Sequence, residues 1–233
     1  MSTVKVTVTR FDPSADDAPR QSTYEVPWAE YMTVLQALHH INEYLEPLCF
    51  DFSCRGGLCG RCGVMVNGKP SLACFTVIAE GEDVAVEPLA GFPVVRDLVV
   101  DRAAIYDALD EANAEVQTAG EINIDALPRN DYDVWWQDLH RKNMCRECGL
   151  CFSTCPVYQA NKRDYAGPAA LSQVYLRAFD GLDESDRILQ AVNLGVFNCT
   201  ECGACNTVCP SYIDHVACNR KLKEAARERG LGK

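Results

Sequence analysis

Residues 145–156 read CRECGLCFSTCP, and residues 199–210 read CTECGACNTVCP. Both runs space their cysteines as C-x2-C-x2-C-x3-C and close with proline: Cys145, Cys148, Cys151, Cys155 and Pro156, then Cys199, Cys202, Cys205, Cys209 and Pro210. Glu-Cys-Gly recurs at 147–149 and 201–203, so the chain carries an internal duplication. Two-residue gaps let a short loop wrap three thiolates around one iron–sulfur cube, while the fourth cysteine, leading into a helix, points away to the other cube. By that rule Cys145, Cys148 and Cys151 share a cluster with Cys209, and Cys199, Cys202 and Cys205 share a second with Cys155. The proline removes a backbone N–H and sets the chain for a helix start. Zinc ribbons also use C-x2-C pairs, but two complete four-cysteine runs, each closed by proline, fit [4Fe–4S] clusters far better.

Towards the N-terminus, Cys54-x4-Cys59-x2-Cys62 is followed after eleven residues by Cys74, the plant-type [2Fe–2S] spacing. Arg55-Gly56-Gly57 and Gly60 leave the loop free to fold tightly and aim backbone N–H groups at sulfides. Around this loop the pattern is that of a small sheet. Val4, Val6 and Val8 alternate along a first strand, and Ser22–Val26 supplies a second. Thr33 with Gln36 forms a capping-box pattern, and Val34, Leu35, Leu38, Ile41 and Leu45 make a helical stripe that Pro47 ends. Val64–Val66 and Leu72–Ile78 flank Asn67-Gly68, a hairpin signal, and Asp83–Val86 adds a strand. From Asp97, the spacing of Leu98, Val99, Arg102, Ile105 and Leu109 predicts a helix leaving the sheet.

Residues 112–133 are acidic and weakly patterned, as a surface linker would be. Beyond them the periodicity predicts helices over Trp135–Lys142, Pro168–Asp180, Glu184–Asn193 and Asp214–Glu228. The expected fold class is α+β: a plant-type ferredoxin (β-grasp-like) domain over 1–100, a helix and linker over 101–133, and an all-helical, bacterial-ferredoxin-like domain over 134–233 with two cubane-type clusters.

A chain of 233 residues has room for two domains, and 48% apolar with 24% charged residues places it in the globular class. No stretch approaches the roughly 18–20 apolar residues of a membrane span. The N-terminus, MSTVKVTVTRFDPS, has no apolar signal region, which predicts a cytoplasmic protein. A net charge of −11 argues against nucleic acid as a partner. The one basic cluster, Arg220–Arg229, is interrupted by Glu224 and Glu228 and reads as the solvated face of a terminal helix. A disulfide scaffold is a poor explanation for 14 cysteines in a long chain without a signal peptide. Cys49 and Cys218 stand outside the motifs and read as plain buried thiols. His39, His40, His140 and His215 read as surface or packing residues, and Trp135 and Trp136 as packing beneath the linker. No carboxylate pair, activated nucleophile or phosphate loop is evident, so no catalytic residue is expected on this chain.

A plant-type [2Fe–2S] domain followed by a helical domain with two bacterial-type runs resembles the iron–sulfur subunit of succinate dehydrogenases and fumarate reductases. Beyond the cysteines, SCRGGLCGRCGVMVNG (53–68), LAC (72–74), RDLVVD (96–101) and GPAALSQVYLRAFD (167–180) are similar to that family. The resemblance covers nearly the whole chain. It implies an FAD-containing flavoprotein partner that oxidises succinate or reduces fumarate, with FAD on the partner and not here. It also implies a cluster order: [2Fe–2S] at Cys54, Cys59, Cys62 and Cys74 nearest the flavin, the Cys145 cluster in the middle and the Cys199 cluster outermost.

The chain departs from the family pattern at two places. The outermost cluster is usually [3Fe–4S], because the middle position of its run is not cysteine; here that position is Cys202, which predicts [4Fe–4S] and a lowered potential. Quinone-binding members carry a tryptophan shortly after the proline of the first run and a histidine after the first cysteine of the second. Here Gln159, Ala160 and Thr200 occupy those regions. The expected acceptor is therefore either a quinone, reached through a membrane-anchor subunit on the membrane face, or thiols and disulfides handled by a soluble cysteine-rich subunit. A chain ending at Lys233 would put that module on a separate polypeptide. The rival class is a cluster-based sensor or structural zinc protein without a flavoprotein partner.

Overall fold

The computed structural model describes residues 2–121 and 139–232. The chain divides into two compact units, Met1–Ala103 with Arg146–Thr154, and Ala104–Cys145 with Cys155–Lys233. Trp135, Trp136 and most of the expected linker lie outside the described residues.

In the first unit, β1 (Thr3–Arg10) pairs antiparallel with β2 (Arg20–Pro27), and alternation buries Val4, Val6 and Val8. The helix α1 (Val34–His40) starts with the full Thr33–Gln36 capping box. It does not continue as an α-helix to Leu45: Ile41–Leu45 is a π turn closed by Glu46 N–H to Ile41 C=O at 2.9 Å. The wider turn rotates the stripe off register, so Leu45 is 48% exposed although Ile41 is buried. β3 (Gly63–Val66) and β4 (Lys69–Leu72) form the expected hairpin, with Asn67 and Gly68 both at positive φ. With β5 (Val84–Glu87) the sheet order is β2-β1-β5-β3-β4, and β1–β5 is its parallel pair.

The predicted strand over Leu72–Ile78 is corrected. The chain turns after Leu72, and its carbonyls at Ala73 and Thr76 accept the N–H groups of Leu35 and Val34, each at 2.9 Å. Those first-turn donors of α1 have no partner inside the helix, so residues 73–76 serve as its cap instead of as a strand. The helix expected from Asp97 also begins later. A short ribbon, β6 (Val94–Arg96) with β7 (Val99–Val100), precedes α2 (Ala103–Ala112). Buried Asp97 ties this segment down by accepting from Arg10 Nε at 3.0 Å, Phe11 N at 3.1 Å and Cys49 N at 3.0 Å. The chain returns to the first unit at 146–154, where α3 (Leu150–Thr154) packs on β4 with Leu150 and Phe152 buried.

In the second unit, part of the helix predicted from Trp135 falls outside the described residues, and His140–Met144 is a 3-10 turn. α4 (Pro156–Ala160) begins at the proline after Cys155. α5 (Pro168–Ala178) is buried almost all round and packs against α6 (Arg187–Asn193) and, beyond a 3-10 turn at Val196–Asn198 and α7 (Ala204–Val208), against α8 (His215–Glu228). Asp186 and Asp214 cap α6 and α8 by accepting from Leu189 N and Ala217 N. Leu171, Val174, Ala191, Cys218, Leu222 and Ala226 form this core. Arg187 is locked in it by a two-bonded pair with Asp183 (3.0 and 2.8 Å) and by donation to the carbonyls of Asn113 and Glu115 at the end of α2. No helix among the described residues is long and apolar enough to cross a membrane.

Candidate iron–sulfur centres

The loop after α1 turns its amides inward. Gly56, Leu58 and Cys59 donate backbone N–H bonds to Cys54 Sγ at 3.4, 3.2 and 3.3 Å, and Cys54 N–H donates to Cys59 Sγ at 3.4 Å. Gly57 N–H reaches Cys74 Sγ at 3.3 Å, and Cys74 N–H reaches Cys62 Sγ at 3.4 Å. The Gly56, Cys59 and Leu58 amides pull the Cys54 thiol down to about 6, whereas burial, offset in part by the Cys74 amide, pushes Cys62 up to about 12. A nest of N–H donors around four thiols is what an anionic cluster with thiolate ligands requires. Arg55, Gly57 and Gly60 take the positive φ values that make the nest.

This loop is pinned from two sides within its unit. Arg102 donates to the carbonyls of Gly60 (3.0 Å) and Arg61 (2.7 Å), and reaches those of Cys148 (3.4 Å) and Gly63 (3.5 Å). Arg146 donates to the carbonyl of Gly57. The sequence singles out neither arginine for this work: Arg102 falls on a helical stripe, one residue past the RDLVVD segment, and Arg146 lies between two cysteines. Apolar side chains nevertheless stay exposed beside the loop, with Leu58 at 68% and Phe75 at 70%.

The duplication is visible in the backbone. Glu147 and Glu201 have φ of 51° and 57°, and Gly149 and Gly203 have 78° and 80°. Cys155 and Cys209, each ahead of its proline, are both extended. Cys155, Cys199, Cys202 and Cys205 are brought together in the second unit: burial, then the nearness of Cys155, Cys199 and Cys202, drives the Cys205 thiol up to about 12, and burial, against the Tyr158 and Val157 amides and helped by Cys199 and Cys202, raises Cys155. Crowded thiols that resist ionising together are a donor set suited to a cationic iron core. Of the remaining predicted ligands, Cys148 and Cys151 stand in the first unit and Cys145 and Cys209 in the second. Among the described residues no three His, Cys, Asp or Glu side chains close on a single-ion point; an iron–sulfur cluster asks for no such point, because no iron in it takes more than two of the four thiolates.

Several expectations are sharpened. Lys223 is not on a solvated face: it is buried, with Nζ 2.6 Å from the Cys199 carbonyl and 2.9 Å from Glu201 Oε1. His215 is buried, with Nδ1 2.7 Å from Ser172 Oγ, and His39 packs edge-on to Phe50 and Phe52. Cys218 is fully buried and Cys49 half-buried. A cavity of about 390 Å3 is lined by Pro156, Ala160, Tyr165, Asn198 and Thr200, beside Cys155 and Cys199.

Two family models match: the 2Fe-2S iron-sulfur cluster binding domain over residues 5–107, and the 4Fe-4S dicluster domain over 141–213. The fumarate reductase iron-sulfur subunit of Haemophilus influenzae is 34% identical, across 97% of this chain and 94% of its own length. The chain belongs to the fumarate reductase and succinate dehydrogenase iron–sulfur subunit family. This iron–sulfur subunit is equally similar, at 34% over its full length, to the fumarate reductase iron-sulfur subunit of Mycobacterium tuberculosis. It is 37% identical to a fumarate reductase (CoM/CoB) chain of Methanothermobacter marburgensis, of which it spans 45%. Its fold matches a chain of the Mycobacterium smegmatis Sdh1 complex with a TM-score of 0.81 and 27% identity, over 98% of this chain and 97% of that one. The α+β class, with a 2Fe–2S domain ahead of a helical 4Fe–4S region, is thereby established, as is the role of an electron-transfer subunit.

Proposed function

We propose that this subunit carries one [2Fe–2S] and two [4Fe–4S] clusters and conducts electrons between an FAD flavoprotein, which converts succinate and fumarate, and a terminal acceptor. The ligand sets are Cys54, Cys59, Cys62 and Cys74; Cys145, Cys148, Cys151 and Cys209; and Cys155, Cys199, Cys202 and Cys205, in domains bounded at 1–100 and 134–233. Bound clusters supply one-electron transfer; the chain ligates them and aims backbone N–H donors at their thiolates. The observation that carries the reading of the outermost cluster is Cys202, a fourth thiol that bears on Cys205 together with Cys155 and Cys199. A terminal [3Fe–4S] cluster is the alternative that Cys202 disfavours.

The exposed Leu58 and Phe75, next to Cys59 and Cys74, support docking of the flavoprotein on the [2Fe–2S] face. An acceptor at the outermost cluster is supported by the cavity between the residues after Cys155 and after Cys199. Ala160 and Thr200 line it where quinone-binding relatives place larger polar or aromatic groups. That loss, with the likeness to a chain named for CoM/CoB, favours a second reading in which a soluble cysteine-rich subunit replaces the membrane anchor. In either case the subunit works in the cytoplasm, on the membrane face only if a partner holds it there.

Anaerobic purification in mild detergent, with mass spectrometry of the co-purifying chains and assay of iron and acid-labile sulfide, tests these readings. A flavoprotein is expected. A hydrophobic anchor alongside it assigns a quinone, a soluble cysteine-rich chain assigns thiols, and purification without any flavoprotein would overturn the proposal.

A further inference from the structure

Tyr165 and Asn219 are each 1% exposed in the second unit, and neither is a ligand. Both lie beside one sulfur. Asn219, on α8, sets Nδ2 3.2 Å from Cys199 Sγ and 3.4 Å from Tyr165 Oη. Burial, and then the nearness of Cys199, raises the Tyr165 hydroxyl, so the phenol keeps its proton beside that sulfur. The hydrogens assign themselves without conflict: the amide gives one to the sulfur and one to the phenol oxygen, which leaves the phenol its own to turn toward the sulfur.

The other end of the amide is the informative one. Asn219 Oδ1 is buried without a hydrogen-bond partner. A buried acceptor left bare is unfavourable, and turning the amide over would set an oxygen lone pair against Cys199 instead. The orientation with Nδ2 on the sulfur is the better one when Cys199 carries negative charge, as a cluster thiolate does. One turn further along α8, Lys223 holds the Cys199 carbonyl and pairs with Glu201, which fixes the loop and leaves little net charge there.

We propose that Tyr165 and Asn219 set the reduction potential of the terminal cluster, raising it by hydrogen-bond donation to Cys199 Sγ. This rests on the reading of Cys199 as a ligand. Reduction adds one electron, whose charge spreads onto the thiolate sulfurs; donors aimed at a sulfur favour the reduced state more than the oxidised one. One electron enters from the upstream cluster and one leaves to the acceptor, and neither side chain gives up its proton. Donation to Cys199 thereby offsets the lowering expected from Cys202 as a fourth ligand.

The test is a redox titration of the intact, anaerobically purified complex, followed by electron paramagnetic resonance. Tyr165→Phe and Asn219→Leu should each lower the terminal midpoint potential, the double variant further, while the [2Fe–2S] potential stays at its wild-type value. An unmoved terminal potential in both, with the cluster present, overturns the inference. If either variant loses the cluster, fluorotyrosine incorporated at position 165, a stronger donor of nearly the same shape, should raise the potential, and no rise counts against the inference equally. Cys199→Ser separates the two levels: a terminal cluster unchanged by it would refute the ligand assignment, whereas its loss or conversion with unmoved Tyr165 and Asn219 variants would refute only the tuning.

Discussion

Gly60 leaves no room for a side chain beside Cys148: a β-carbon on it would stand 2.8 Å from Cys148 Cβ and would also fall on the Arg146 carbonyl. The first-cluster loop and the first cysteine run therefore meet backbone to backbone. Gly60 also has a φ of 69°, which a β-carbon makes unfavourable on its own. Gly60→Ala is expected to destabilise the loop by about 1–3 kcal/mol from the backbone alone, with the overlap added. Visible circular dichroism and iron content should report a [2Fe–2S] site that is lost or only partly filled.

Arg102→Leu removes the guanidinium that satisfies the Gly60 and Arg61 carbonyls. The buried Gly60 carbonyl left bare costs about 1–3 kcal/mol and the part-buried Arg61 carbonyl less, so thermal unfolding of the cluster-loaded subunit should begin at lower temperature. Arg102→Lys should restore only part of it, because one ammonium cannot reproduce the planar fork. Equal melting of all three proteins would show that water replaces the clamp.

His215 gives the subunit a pH dependence. Burial holds its imidazole down to about 4 from an ordinary 6.5, against the opposing pull of the Pro168 carbonyl and Asp214. The unfolded chain thus takes up a proton before the folded one does. The contribution to stability is fully present above about 6.5, falls as pH drops, and is gone once pH passes below about 4. Denaturant titration between these limits should lose stability with acid in the wild type, and His215→Gln should flatten that slope. A variant with the wild-type slope would place the titration elsewhere.

Cys202→Ser should convert the outermost cluster to a three-iron species. The expected result is a new resonance from the oxidised protein and a higher terminal potential, with the other two clusters unaltered. Retention of a four-iron cluster with the same potential would remove Cys202 from the ligand set.

The strands with strict alternation, the Thr33 capping box, the Asn67-Gly68 turn and the helices bearing long apolar stripes are all legible in the sequence because each depends on neighbours a few residues away. The cysteine motifs are legible for the same reason: short gaps put three thiols of a run on one loop. Local spacing could not reveal the π turn that exposes Leu45, or the cap that residues 73–76 supply to α1, which answers first-turn N–H groups distant in sequence. Arg102 on the Gly60 loop, and Tyr165 and Asn219 on Cys199, are likewise decided only in three dimensions. Their partners are distant in sequence, and burial, which no residue sets alone, is what turns an arginine, a tyrosine or an asparagine into an obligatory hydrogen-bond donor.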